Sequence, residues 1–396
     1  MPADRLAGAR PAIVNAMDSA VPRAAYVHVP FCRHRCGYCD FSLVAGRDDL
    51  IERYFQALGR ELARVPEPLC LDTLFVGGGT PSHLGVAGLR RLAAVLQDKL
   101  ILAAGAEATL EANPSDVTPE LVEVLREGGF SRLSLGAQSL APATLAALDR
   151  NHTPDDVRRA VEAGLQAGLT VSVDVMIAAP GQSLAAVEQD LEDVLALGGQ
   201  HVSVYCLTWE KGTRFASLLR QGLLQEAEED LEREMYEVAI ERLEGGGLEQ
   251  YEVSNFARPG HRCRHNETYW DCRPWEGFGP GAARFDGRTR ITNHRSPVTW
   301  MHRILSGADP SGECDQMTPE EAARERIVVG LRRRDGLVRG EFAAASGFSL
   351  DALAGGAILS WVEQGFASDD GQRVRLTRRG LLVSDGLWAA VLGQGA

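Results

Sequence analysis

Between residue 25 and about residue 245 the chain switches six times from a short apolar, β-branched run to a longer amphipathic stretch. The short runs are AAYVHV, TLFVGG, EATLEA, SRLSLGA, TVSVDVMI and HVSVYCL, each bounded by Gly, Pro, Asn or Asp, as strands are. The amphipathic stretches fall at 49–64, 86–102, 118–128, 154–168, 184–198 and 226–245. Thr118-Pro119-Glu120 and Thr153-Pro154-Asp155-Asp156 mark helix starts, with a capping hydroxyl ahead of a proline that has no N–H to satisfy. A strand followed by a helix cannot meet the next strand through a hairpin. It returns by a crossover, which makes neighbouring strands parallel and the crossovers right-handed. Six such units are two short of the closed eight-fold barrel. The expected fold is therefore α/β, an open, partial (β/α)6 barrel.

The rhythm breaks over 250–300, which is rich in Gly, Arg and aromatic residues and reads as extra strands and loops on the side of the barrel. From about 318 the pattern is helical, in TPEEAARERIVVGLRRR, VRGEFAAASG and SLDALAGGAILSWVEQG. FASDDGQRVRLT then reads as two short strands around an Asp-Gly turn. Three helices and a hairpin make a small winged-helix-like domain. The expected organisation is a tail at 1–23, the barrel with its extension at 24–300, and the C-terminal domain at 301–396.

The loop after the first strand carries the chemistry. YVHVPFCRHRCGYCDF, Tyr26 to Phe41, places Cys32, Cys36 and Cys39 within eight positions. Three thiolates are one short of a closed structural zinc site, and an odd number cannot all pair as disulfides. A centre with one coordination position left open fits better. Thiolates hold iron–sulfur clusters, commonly by four ligands, and three of them leave one iron of a four-iron cluster free. A zinc ion completed by His28 or His34 is the alternative that the spacing alone leaves standing. Composition narrows the class further. With 45% hydrophobic and 24% charged residues this is an ordinary globular chain. It has no apolar run of about 18 residues that would span a bilayer. A net charge of −13 argues against a nucleic-acid carrier. The start has no apolar core of a secretory signal, and Cys70, Cys206 and Cys314 are scattered, as reduced thiols are in the cytoplasm. A cytoplasmic location is expected.

Polar residues recur at the ends of the later strands, which is where parallel α/β folds place their sites. LFVGGGTPS closes the second strand with Gly77, Gly78, Gly79 and Thr80, and glycines let a backbone approach a ligand closely. Glu111 ends the third strand in LEANP and Gln138 the fourth in SLGAQS. Arg150 follows in LDRNH, and Asp174 lies in the fifth strand. Together they converge on one mouth, although Glu111 alone would pass for a carboxylate at a helix start.

The cysteine spacing, with an aromatic residue (Tyr38) before the third cysteine, resembles the signature of the radical S-adenosylmethionine superfamily. The resemblance implies a radical-SAM partial barrel with a 4Fe-4S cluster on Cys32, Cys36 and Cys39. It also implies S-adenosylmethionine on the open iron, cleaved reductively to a 5′-deoxyadenosyl radical. YVHVPFC, GGGTPS, EANP, SLGAQS and VDVMIAAPGQ, in this order, are similar to the oxygen-independent coproporphyrinogen III oxidase branch. By that match Tyr26, Tyr38, Gly78, Gly79, Thr80, Glu111, Gln138, Arg150 and Asp174 contact S-adenosylmethionine, and Ala283 in GFGPGAA lines the adenine side.

Two kinds of protein make up that branch. The decarboxylating oxidase carries a further cysteine two positions beyond the third cluster cysteine and a tyrosine-bearing N-terminal segment. Here position 41 is Phe. The haem chaperones of the branch end the motif in CDF and carry His-Asn-x-x-Tyr-Trp, matched here by HNETYW, His265 to Trp270. The resemblance is to the chaperone side. It implies a haem donor, haem-requiring targets and transient contact with membrane enzymes, with no transmembrane segment and no nucleic acid. Porphyrinogen decarboxylation is the alternative. A haem needs an axial donor and a flat apolar wall. His265 offers an imidazole, Tyr269 and Trp270 offer rings, and Cys263 and Cys272 are alternative thiolates. A turn held by His265 and Asn266, with Trp270 in the core, is the purely structural reading.

Overall fold

The computed structural model describes residues 21–393, so all but the last three residues of the expected tail at 1–23 lie outside the described residues. Six strands stand side by side in chain order, every pair parallel: β1 (Ala24–Val29), β2 (Leu69–Gly78), β3 (Leu100–Ala112), β4 (Arg132–Gln138), β5 (Thr170–Ile177) and β6 (His201–Cys206). Burial is nearly continuous along β1, β4 and β5, because helices cover one face and side chains fill the other. The helices of this part are α1 (Ile51–Leu62), α2 (Gly85–Gln97), α3 (Pro119–Glu127), α4 (Pro142–Ala147), α5 (Pro154–Gln166), α6 (Leu184–Ala196), α7 (Arg214–Arg220) and α8 (Glu229–Gly245). Apolar stripes such as Tyr54, Phe55, Leu58 and Leu62 on α1 join Val27, Val29, Leu71 and Val76 of the strands in one core.

The segment after α8 adds β7 (Glu249–Gln250) and β8 (Asn255–Ala257) antiparallel beyond β6, and β9 (Glu276–Phe278) parallel beyond β1. The sheet order is β9-β1-β2-β3-β4-β5-β6-β8-β7. HNETYW, expected among strands and loops, is helical, within α9 (Arg264–Trp270). Strands Ala283–Phe285, Thr289–Asn293 and Ser311–Gln316 form a second, antiparallel sheet.

Two expected boundaries move. The helix expected to reach residue 102 stops at Gln97, and Leu100–Leu102 pairs with Leu69–Leu71. Pairing with a neighbouring strand outweighs the helical preference of a leucine-rich run. Position 301, the expected start of the C-terminal domain, falls inside α10 (Pro297–Ser306). Trp300, Met301 and Ile304 of that helix belong to the core of the large sheet. A second core begins at Ala323. It gathers α11 (Pro319–Leu331), α12 (Arg339–Ser346), α13 (Leu350–Glu363) and a three-stranded antiparallel sheet of Leu337–Val338, Arg373–Leu376 and Ala367–Asp369.

Candidate cofactor site

The cysteine loop is tied down at several points. Phe31–Cys32 pairs with Val44–Ala45, and the Arg35 guanidinium donates to the carbonyls of Cys39, Phe41 and Leu43. Gly37 N–H donates to Asp149 Oδ2 at 2.9 Å, and Phe215 N–H to the Gly37 carbonyl at 2.8 Å. Cys39 N–H closes a turn on the Cys36 carbonyl. The glycine run lies against this loop: Gly79 N–H donates to Val29 O and Thr80 N–H to Phe31 O. A Cβ on Gly79 would stand 2.7 Å from the Phe31 carbonyl, and Gly78 has φ +115° with the His28 ring where its Cβ would be. Glycine is required at both.

A cavity of about 550 Å³ opens at the C-terminal ends of the strands. Cys32, Cys36, Tyr38 and Cys39 line it from the loop, and Gly78, Gly79 and Thr80 from the end of β2. Glu111, Gln138, Arg150 and Asp174 complete it from β3, β4 and β5 and the turn before α5. Eleven of the residues expected from sequence therefore share one space. Tyr26 lines a neighbouring space of about 400 Å³ that shares Gly78 and Glu111 with the first. Ala283 does not reach the cavity and lines a separate groove with Tyr269 and Trp270. Sequence reasoning missed Asn113, Met176 and Tyr205, which also line the cavity. Met176 lies two positions beyond Asp174 in β5, on the same face by the period of two of a strand, and that period was the signal available; Asn113 lies just past the end of β3.

Electrostatics inside the cavity follow from burial. Thr80 Oγ1 lies 3.2 Å from Cys32 Sγ, and burial pushes that thiol up to about 12. Arg150 donates to the Gly136 carbonyl at 2.6 Å and to Cys36 Sγ at 3.6 Å, while its Nε is buried without a partner. Glu111 accepts from Gly78 N–H at 2.9 Å, yet burial raises its carboxyl to about 7. Asp174, near Ser134 Oγ at 3.4 Å, is raised by burial to about 6. Gln138 (φ +67°), Asp149 (φ +55°) and Ala178 (φ +60°) hold left-handed backbone around this edge of the sheet, as strained residues at functional sites do.

The residues suit a cluster better than a zinc ion. His28 has both ring nitrogens engaged, Nδ1 with Tyr26 Oη at 3.0 Å and Nε2 with the Ser42 carbonyl at 2.7 Å. His34 is likewise held by the Asp149 carbonyl and the Asn151 amide. Neither imidazole has a ring nitrogen left unengaged to complete a four-ligand zinc site. Three thiols around an open space, beside a buried guanidinium with an unpartnered nitrogen, form a donor set for a cluster with one open iron.

His265, the imidazole that the sequence offers to a haem, has both ring nitrogens engaged. It is 1% exposed, with Nδ1 at 2.9 Å from Thr73 Oγ1 and Nε2 at 2.8 Å from Tyr269 Oη. Burial lowers its pKa to about 3, so the ring is neutral and its nitrogens are used. Tyr269 and Trp270 line the second groove, together with Cys272. Cys263 is buried against Glu107 Oε1 at 3.5 Å.

Comparison with known proteins agrees with this geometry. The family model "Radical SAM superfamily" matches residues 26–194, and "HemN C-terminal domain" matches 317–383. "Heme chaperone HemW" of Bacillus subtilis is 34% identical over 94% of this chain and 100% of its own length. The protein of the same name from Mycobacterium tuberculosis (strain H37Rv) is 37% identical over 94% and 95%. Among solved structures, Escherichia coli coproporphyrinogen III oxidase (HemN), described as a radical SAM enzyme, superposes with TM-score 0.84 at 19% identity. It covers 95% of this chain and 91% of that one, a likeness of fold. The chain belongs to the radical SAM superfamily and, within its HemN-like proteins, to the HemW family.

Proposed function

We propose that this chain is a haem chaperone that carries a 4Fe-4S cluster and S-adenosylmethionine and delivers haem to haem-requiring proteins. The observation that carries the reading is the similarity along 94% of the chain to proteins named as haem chaperones. Phe41 at the cavity, where the oxidase branch has a cysteine, supports it. In this reading the six parallel units are a partial barrel. The C-terminal helices and hairpin are a winged-helix-like domain that begins near residue 317 and packs against the barrel without binding nucleic acid. The eight free cysteines suit a cytoplasmic chain that receives haem from a donor and meets its targets there or at a membrane.

Cys32, Cys36 and Cys39 would hold the cluster, which when bound supplies an electron to a ligand on its open iron. Thr80 holds the Cys32 sulfur, and the Arg150 guanidinium beside Cys36 offsets thiolate charge. Gly78 and Gly79 bring backbone close to the cofactor, and Tyr38, Gln138, Glu111 and Asp174 wall it. Glu111 and Asp174 accept from its cationic or hydroxyl groups once ionised. Tyr26 reaches it from the adjoining space.

The test is an anaerobically reconstituted chain given S-adenosylmethionine, reductant and either haemin or coproporphyrinogen III. The expected outcome is binding of haemin, its transfer to an apo-haemoprotein, and unconverted porphyrinogen. A Cys36→Ala variant should lose its iron. Release of carbon dioxide at stoichiometric or faster rates would replace the chaperone with the decarboxylase.

A further inference from the structure

A groove of about 400 Å³ lies between β1, the second sheet and α11. Its walls are rings in contact. Tyr269 stands edge-on to Trp275 with centroids 4.8 Å apart, and Trp275 lies 4.8 Å from Phe285. The Arg290 guanidinium sits 5.2 Å from the Phe285 centroid. Flat apolar walls suit a planar macrocycle, and the Arg290 charge at one end is already balanced by Glu325.

Most groups there that could bind iron are already engaged. Tyr26 Oη is bonded to His28, Tyr269 Oη to His265, and the Glu325 carboxylate to Arg290. The remaining donor is Cys272, 8% exposed, its thiol free and on the groove wall. Its backbone is unusual as well. Cys272 N–H donates to Tyr269 O and Arg273 N–H to Thr268 O, the paired bonds of a helix end whose left-handed residue is ordinarily glycine or asparagine. Cys272 takes that conformation at φ +49°. Arg326 of α11 holds it there by donating to the carbonyls of Asp271 and Cys272.

Resting on the haem-chaperone reading, we propose that haem lies in this aromatic groove with its iron on the Cys272 sulfur. His265 is then a positioning residue that pins the Tyr269 wall to Thr73. Coordination forms an Fe–S bond and sends the thiol proton to solvent, and no electron moves. Half-buried Tyr269 and Trp270 leave the macrocycle within reach of an acceptor.

The test is haemin titration of the cluster-loaded full chain, followed by reduction and carbon monoxide. The wild type is expected to show the red-shifted carbonyl Soret band of thiolate ligation. Cys272→Ser should lose that band and bind haemin about tenfold more weakly. Cys263→Ser should keep it. Trp275→Ala, which removes a wall, should weaken binding and leave the band in place. A wild-type carbonyl band of the imidazole type overturns the assignment, as does an unchanged band in Cys272→Ser. In both cases haem is bound and the chaperone reading stands. A chain that binds no haem overturns the chaperone reading and the assignment together.

Discussion

Glu111 and Asp174 are carboxyls placed where water cannot reach them well, and both are raised, to about 7 and about 6. Their folded pKa values exceed the unfolded ones, so the proton stabilises the folded chain. That contribution is full below about pH 4 and is lost as pH rises through 6 and 7. A cationic ligand reverses the preference, because it is held by the ionised forms. Binding of S-adenosylmethionine should therefore release protons near pH 6.5, and its affinity should rise with pH up to about 8. Calorimetry in two buffers of different ionisation enthalpy measures this directly. Identical heats in both buffers would contradict it, and Glu111→Gln should reduce the number of protons released. At the same scale lies a limit of short motifs. HNETYW identifies an imidazole, but its spacing says nothing about whether the ring nitrogens are free. Thr73, 192 positions away, and Tyr269 take both.

Among the elements, α1 does more than cover strands. Glu61 on its last turn accepts from Gly279 N–H at 2.7 Å, Asn293 Nδ2 at 2.7 Å and Trp300 Nε1 at 3.3 Å. One buried carboxylate thus ties the loop after β9, the second sheet and α10 to the first βα unit. Glu61→Ala would leave three donors with weaker partners or none. It should lower stability by roughly 3 kcal/mol, read as a fall in the thermal midpoint. A midpoint unchanged within a degree would show that the extension is held by packing alone. The six main strands were legible because alternation of apolar runs and caps is local. The missed helices α4 and α7 are one to two turns long, too short for a periodicity to stand out. The strand at 100–102 was hidden because a leucine-rich run satisfies both patterns until a partner strand is present.

Across the whole molecule, the two cores meet at α9 and α11. Arg326 donates to the carbonyls of Asp271 and Cys272, Arg333 pairs with Asp271, and Arg262 with Asp335 at 2.7 Å. Tyr269, Cys272, Trp275 and Phe285 share an apolar cluster with Met317 and Val329 across this junction. Arg326→Ala should loosen the junction while the large sheet stays folded. Hydrogen exchange should quicken at 264–275 by about tenfold or more and stay unchanged over β2 to β5. Equal acceleration everywhere would mean that the two cores unfold as one unit.

The alternation, the cysteine spacing and the strand-end polar residues are short-range patterns, and each was readable from the chain because it depends on neighbours a few positions away. They sufficed for the parallel strand order and for eleven residues that meet in one cavity. The second groove was not readable. Its walls come from β1, α9, the turn that follows it, the second sheet and α11, and no local periodicity records that Trp275, Phe285 and Val329 face one another. The availability of a donor atom belongs to the same class. His265 and Cys272 lie seven residues apart, yet folding closes both nitrogens of one and leaves the sulfur of the other free. Burial and hydrogen-bond saturation depend on partners brought from distant parts of the chain.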